Sequence, residues 1–266
     1  MKHQGHRARK RFGQNFLHDI GVIQRIVDSI HPKPGDNIVE IGPGLGALTE
    51  QLFEATGSIH VVELDRDLVE RLQKRFGKEK NFHIHSNDAL KFDFGALANH
   101  GKLRVVGNLP YNISTPLLFH LMEQIDSIQD IHCMLQKEVV DRICAGPGDN
   151  NYGRLSVMLQ YHCQAQHLFN VSADAFQPPP KVESAILRLT PHAEPAVSVD
   201  DKKLFSQLVS QAFNQRRKTL RNSLKNYLSA DAIESLGINP GARPETLSLV
   251  DFAKLSNKAK ANNEMA

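Results

Sequence analysis

Four stretches of this 266-residue chain carry residue types that could do chemistry, and each follows a run that reads as a β-strand. In EIGPGLGALTE (40–50), Gly42, Gly44 and Gly46 leave a strand and open a helix. Glycines there let the backbone turn sharply and let a ligand approach it closely. Glu63 ends the next strand, 21 residues after Gly42. A carboxylate in that place can accept hydrogen bonds from both ribose hydroxyls of a nucleoside. Asp88 lies in the exit loop of a third strand, where it could accept from an adenine amino group. An Asx turn or helix cap before Ala89-Leu90 explains Asp88 equally well. NLPY (108–111) follows LRVV (103–106) and Gly107, and holds no nucleophile, histidine or carboxylate.

The order strand, turn, helix, strand, acid favours a nucleoside cofactor over a tight turn with a solvent-facing glutamate. Two classes of cofactor compete. NAD needs the GxGxxG spacing that sets a pyrophosphate on a helix N-terminus. That strict spacing is not kept across Gly42-Pro43-Gly44-Leu45-Gly46-Ala47. S-adenosylmethionine has no pyrophosphate, so the spacing favours it.

These residues need elements to hold them. DIGVIQRIVDSI (19–30) has Ile20, Ile23, Ile26, Val27 and Ile30 near helical spacing. Strands are expected at 37–42, 59–65, within 81–90, at 103–111 and at 131–136. Helices are expected at 46–56 and 66–76. Thr115-Pro116 reads as an N-cap followed by proline at the first helical position. Short strands that are apolar on both faces and alternate with helices imply a parallel sheet covered on both sides. The fold class is therefore doubly wound α/β. After it come helix-like YGRLSVMLQYH (152–162), the turn QPPPK (177–181) and a last strand in ESAILRL (183–189). TPHAEPAVSV (190–199) reads as a linker. Leu204, Leu208 and Ala212, then Leu220, Leu224 and Leu228, repeat every four residues. PETLSLVDFAKL (244–255) adds a helix, and the tail KAKANNEMA reads as frayed.

Hydrophobic residues make up 41% and charged residues 23%, as in a globular protein with a proper core. No apolar run approaches membrane-spanning length, and the basic N-terminus has no apolar stretch behind it to make a secretory signal. Three widely spaced cysteines without a CxxC pair argue for reduced thiols in a cytosol. His83 and His85 would share one face of a strand, but without a carboxylate or cysteine at ligand spacing no metal is expected. Net charge is only +3, yet its distribution is uneven. Lys2, Arg7, Arg9, Lys10 and Arg11 form one acid-free block; Lys202, Lys203, Arg216, Arg217, Lys218, Arg221 and Lys225 form another. Two such blocks favour contact with a polyanion over a mere solvated tail and helix face.

NLPY resembles the [ND]PP[YF] motif of methyltransferases that act on exocyclic amino groups. The longer run GNLPYNISTPLLF is similar to the ribosomal RNA adenine N6-dimethyltransferases, which modify two adjacent adenines near the 3′ end of small-subunit rRNA. GQNFLHD (13–19), EIGPGLGALT (40–49), FQPPPKVESAILRL (176–189) and the basic helix FNQRRKTLRNSL (213–224) agree with that family, so the resemblance covers nearly the whole chain. It implies a Rossmann-like class I S-adenosylmethionine-dependent methyltransferase domain over 1–192 and a small helical RNA-binding domain over 200–266. It further implies that Asn15 and Leu17 close over the methionine end of S-adenosylmethionine. Gly42 would line its methionine side, Glu63 its ribose and Asp88 its adenine. Asn108 would lie between cofactor and target, with Tyr111 and Phe176 sandwiching a flipped-out adenine. The implied partners are small-subunit rRNA and the pre-30S particle, met by a monomer in the cytoplasm with no membrane involved.

The chemistry agrees with an uncharged motif. An adenine amine is a poor nucleophile because its lone pair is delocalised into the ring. Two acceptors on its hydrogens, the Asn108 side-chain oxygen and the Leu109 or Pro110 carbonyl, would favour a tetrahedral nitrogen. Pro110 restricts Leu109 to extended backbone, which helps aim that carbonyl. Tyr111 offers a stacking face worth roughly 1–3 kcal/mol per base. Positioning then supplies most of the rate. Three other readings compete: an erythromycin-resistance methyltransferase of large-subunit rRNA, an assembly factor whose binding outweighs catalysis, and, distantly, an NAD enzyme. FQPPPKVES and NLPYNISTPLLF lean to the small-subunit family.

Overall fold

A computed structural model describes residues 14–214 and 217–264. The basic N-terminal residues Lys2, Arg7, Arg9, Lys10 and Arg11, and Arg216, lie outside them. The chain divides into two compact units: residues up to Val140 with Gln166–Pro191, and Asp141–Ala165 with the residues from His192 on. The 152–162 helix thus groups with the C-terminal residues, not with the sheet it follows in sequence.

The strands are β1 (Phe16–Leu17), β2 (Ile38–Ile41), β3 (Ile59–Val62), β4 (Phe82–His85), β5 (Leu103–Asn108), β6 (Ile128–Gln136), β7 (Cys163–Val171), β8 (Phe176–Gln177) and β9 (Ser184–Pro191). Seven of them form one sheet in the order β4-β3-β2-β5-β6-β9-β7. The neighbours from β4 to β6 are parallel, while β9 runs antiparallel to β6. The expected parallel sheet therefore carries an antiparallel strand, and the polar segment 163–171 is a strand that its composition did not announce. β2 is buried along its whole length, as a strand covered on both faces must be. Chain order reverses between β2 and β5. Ligands of open α/β sheets bind beyond the strand C-termini at such a switch point.

Around the sheet lie α1 (Ile20–Ile30), α2 (Ala47–Thr56), α3 (Arg66–Phe76) and α4 (Ser114–Glu123). In α1 the buried residues are Ile23, Ile26, Val27 and Ile30, one stripe at helical spacing, and the Asp19 carboxylate caps the helix by accepting from Val22 N–H. Ile20 faces out, 77% exposed. In α3 Leu68, Val69, Leu72 and Phe76 turn inward. α4 starts at Ser114, ahead of the expected cap at Thr115. Pro116 is still tolerated, because first-turn N–H groups have no intrahelical acceptor. The two-stranded ladder β1–β8 is separate and antiparallel, pairing Leu17 with Phe176.

Helix α5 (Lys137–Cys144) spans the boundary between the units. The second unit holds α6 (Arg154–His162), α7 (Lys202–Phe213), α8 (Leu220–Ser223), α9 (Ala230–Glu234) and α10 (Leu249–Glu264). Its core gathers Tyr161 against Phe205 and Phe213 against Phe252, at 5.0 and 5.6 Å between ring centroids. Each fully buried side chain of this kind contributes about 1.5–3 kcal/mol. The basic stretch 213–224 is not one helix: α7 ends at Phe213 and α8 begins at Leu220. Leu220, Leu224 and Leu228 are all buried, so their spacing reports a shared inner face rather than a continuous helix. α10 runs on to Glu264, so the stretch read as frayed is helical as far as that residue.

Candidate active site

A cleft of about 340 Å³ opens at the C-terminal ends of β2, β3 and β5, entirely within the first unit. Its wall is made by the 14–17 segment, the glycine turn, Glu63-Leu64, Asp88, Leu90 and the stretch from Asn108 to Ile113. Of the nine residues expected at a site, Asn15, Leu17, Gly42, Glu63, Asp88, Asn108, Leu109 and Tyr111 line this cleft; Phe176 lies in the same unit but does not reach it.

The glycine turn is shaped by two demands. Gly42, Gly44 and Gly46 all have positive φ, at 67°, 57° and 84°, where a side chain is strained. A Cβ on Gly44 would also stand 3.1 Å from the Phe16 ring, which lies over the turn. Gly107 meets a different constraint. A Cβ there would come within 2.6 Å of the Ile41 carbonyl, so glycine lets β5 lie close enough to β2 to bring Asn108 beside the turn.

Glu63 is buried, and its Oε1 accepts from the N–H groups of Leu64 (2.8 Å) and Asp65 (2.9 Å). Burial pushes its carboxyl above the ordinary range even against those backbone donors. Leu64, beside it, leaves an apolar side chain 51% exposed at the cleft wall. Asp88 Oδ1 accepts from Leu90 N–H at 3.0 Å. It is thus an Asx turn and a cleft residue at once. One carboxylate oxygen shapes the loop, and a carboxylate has acceptor sites to spare for a ligand.

Sequence reasoning missed Glu40. It is the penultimate residue of β2, with only 2% exposure, lines the cleft, and its Oε2 has no hydrogen-bond partner. Burial pushes its carboxyl up to about 7, with the neighbouring Glu63 carboxylate adding to the effect. The signal was there to read: an acid inside the apolar run NIVEIG must find a partner or carry a large desolvation cost. Among the described residues neither Glu40 nor Glu63 forms an ion pair. Two buried acids without a cation fit a ligand that brings positive charge.

The QNFL segment is stitched along the rim of the cleft. Gln14 Nε2 donates to Asp65 Oδ2 (3.0 Å), Asn108 Nδ2 donates to the Asn15 carbonyl (3.0 Å), and His18 N–H donates to the Ala175 carbonyl (3.0 Å). The segment therefore crosses from the end of β3, past the end of β5, to β8. The Asn108 bond also fixes its amide. A carbonyl can only accept, so Nδ2 must be the end facing Asn15, and Oδ1 is turned away from it.

The rest of NLPY is held by its backbone. Leu109 N–H donates to the Met134 carbonyl (3.2 Å), and the Pro110 carbonyl accepts from Ile113 N–H (3.1 Å). The Tyr111 carbonyl accepts from the Ser114 hydroxyl (3.1 Å), and Tyr111 Oη shares a 2.6 Å hydrogen bond with Ser184 Oγ. Tyr111 lines the cleft; Phe176 departs from the expectation that it would face a base there. Its pairing with Leu17 turns the ring into the core, with 1% exposure, in a cluster with Leu17, Ile23 and Ile186.

The family model described as ribosomal RNA adenine dimethylase matches residues 5–261. The chain belongs to this family. It is 59% identical over 254 residues to the ribosomal RNA small subunit methyltransferase A of Pseudomonas aeruginosa, covering 95% of each chain. It is 58% identical over 258 residues to the protein of the same name in Acinetobacter baylyi, covering 97% of this chain and 94% of that one. Among solved structures it resembles a dimethyladenosine transferase from Plasmodium falciparum, with TM-score 0.78, 26% identity, and coverage of 92% and 98%. The 23S rRNA methyltransferase ErmE shares the fold, with TM-score 0.73, 24% identity, and coverage of 92% and 100%. As a dimethylase the chain is a methyltransferase with a class I, Rossmann-like domain. Its cofactor is S-adenosylmethionine, and the cleft's chemistry fits that group: a buried carboxylate at Glu63, an exposed apolar side chain at Leu64, and a buried carboxyl without a cation at Glu40.

The other polar clusters of the dimethylase lie elsewhere. His60 stacks on His83 and on His85, at 4.6 and 5.3 Å between centroids, and His60 Nδ1 lies 3.0 Å from His85 Nε2. Among the described residues no group of three or more histidine, cysteine, aspartate or glutamate side chains is arranged to hold a metal.

Proposed function

We propose that this dimethylase uses S-adenosylmethionine to dimethylate the N6 amines of two adjacent adenosines in the 3′-terminal hairpin of 16S rRNA, acting as a monomer on the pre-30S particle in the cytoplasm. The observation that carries the reading is the fixed Asn108 amide, whose Oδ1 is left as an acceptor at the cleft beside the glycine turn. S-adenosylmethionine supplies an electrophilic methyl group on a sulfonium. Everything else is positioning by this chain.

Asn15 and Leu17 close the methionine end, Gly42 lines it, Glu63 takes the ribose hydroxyls and Asp88 the adenine amine. Glu40 faces the ammonium and sulfonium charge. Asn108 Oδ1 accepts one hydrogen of the target amine. The Leu109 carbonyl accepts the other, because the Pro110 carbonyl is already engaged by Ile113 N–H. Tyr111 stacks on the flipped base. Phe176 supplies the second face only if its ring leaves the core, so Tyr111 carries most of the stacking. No general base is needed, since the amine becomes acidic once methylated and water can take the proton.

A base in folded RNA must be flipped out or taken from a loop. Arg217, Lys218, Arg221 and Lys225 are exposed and would hold phosphates. No helix among the described residues is long and apolar enough to cross a membrane. The relatives named for the small subunit favour this substrate over large-subunit rRNA. The test is transfer of labelled methyl groups to immature small subunits, followed by nucleoside analysis. N6,N6-dimethyladenosine is the expected product; another methylated base in its place would sink the reading. A binding role in subunit assembly can coexist with catalysis, and Glu63→Ala separates the two by losing methylation while keeping subunit binding.

A further inference from the structure

Tyr111 follows β5 in a turn, and its phenol is tied at the far end to Ser184 Oγ, 2.6 Å away. Ser184 is the first residue of β9, is fully buried, and stands opposite Gln136 of β6. Asn108 stands opposite Met134 of the same strand β6, two residues earlier. The amide that would accept from the target amine and the hydroxyl that pins the tyrosine are thus both referenced to one stretch of sheet, Met134–Gln136. A tyrosine side chain turns about two torsions, and its Oη lies farthest from the backbone, so one bond at Oη removes most of the ring's freedom to tilt.

We propose that Ser184 is a positioning residue for methyl transfer, its bond to Tyr111 Oη holding the ring plane on which the target adenine stacks at a fixed place relative to Asn108. This rests on the reading of Tyr111 as the stacking face. The consequence falls unevenly on the two transfers. The unmethylated amine can offer its lone pair over a range of tilts. The monomethylated amine has a bulkier nitrogen and one hydrogen left for two acceptors, so it depends more on the ring to hold it in line. Losing the tether should therefore slow the second transfer more than the first.

The test uses the full chain, immature small subunits and labelled S-adenosylmethionine, with Ser184→Ala, Tyr111→Phe and the double variant compared. Each single variant should lower kcat about tenfold, as expected for one hydrogen bond. Each should also raise the share of N6-methyladenosine in the product, with cofactor Kd by calorimetry unchanged. The double variant should be no worse than either single one, because both remove the same bond. Ser184→Thr, which keeps the hydroxyl, should restore the product ratio. Additive losses in the double variant, or an unchanged product ratio in Tyr111→Phe, would overturn the proposal. Tyr111→Phe leaves the buried Ser184 site intact, so the question stays open to test even if Ser184→Ala fails to fold. If Tyr111→Ala transfers normally, it is the stacking reading itself that fails.

Discussion

The two ends of the same strands treat charge in opposite ways. At the N-terminal end of the sheet, Arg104 of β5 is almost fully buried and completely engaged. It donates to Asp130 (2.8 Å), to Asp36 (2.7 Å) and to the Ile30 carbonyl (2.6 Å). His132 sits next to it, and burial drives that imidazole down to about 4, so it stays neutral beside the pair. At the C-terminal end, Glu40 and Glu63 are equally buried but have no cation among the described residues, and Asn108, its amide nitrogen tied to the Asn15 carbonyl, lines the cleft. A buried charge that is paired belongs to the fold; one left without its partner is costly and marks where a partner is to arrive.

The contrast can be broken first at its closed end. Arg104→Ala leaves Asp36 and Asp130 without their cation and should cost about 3–5 kcal/mol of stability, read by denaturant unfolding, while the protein that remains folded binds cofactor normally. At the open end Glu63→Ala should do the reverse. Cofactor affinity should fall by about 2–3 kcal/mol, the range for hydrogen bonds to a charged group, with unfolding midpoint held and subunit binding retained.

Glu40 gives an effect whose size depends on pH. Its carboxyl ordinarily titrates at 4.5 and is pushed up to about 7 in the fold. Below 4.5 both folded and unfolded chains carry the proton, and no penalty exists. Between 4.5 and about 7 only the unfolded chain ionises freely, so the ligand-free protein loses stability as pH rises and then levels off. Glu40→Gln should thus be more stable than the parent by about 3 kcal/mol at pH 8 and no different at pH 4. The smallest effect is expected at Asp88→Asn. The amide oxygen can still accept from Leu90 N–H, but its NH2 meets an adenine amine with a donor, and cofactor affinity should fall by about 1 kcal/mol.

Much of the open end could be read from sequence because each of its residues sits at a strand exit. Gly42, Glu63, Asp88 and Asn108 are ordered by the alternation of strands and helices, and any such fold brings those exits to one edge. What could not be read depends on pairing between distant segments. CQAQHLFNV (163–171) carries polar residues along its length because it is the last strand of the sheet, and only its neighbour β9 makes it a strand. Phe176 reads as an available aromatic until the β1–β8 ladder turns it into the core. The leucines at 220, 224 and 228 have helical spacing, yet tertiary burial satisfies them through a four-residue helix and turns. Glu40 was hidden by its setting, since an apolar strand reads as core even where it carries one acid.

The account stands or falls on Asn108, the acceptor held out at the open end. The direct measurement is a parallel determination of methyl transfer and RNA affinity for Asn108→Ala on immature small subunits. If the residue positions the amine, transfer should drop by about 10²-fold while subunit Kd moves less than about twofold, a change worth under about 0.5 kcal/mol. Equal losses in transfer and binding would make NLPY a structural turn and contradict the account.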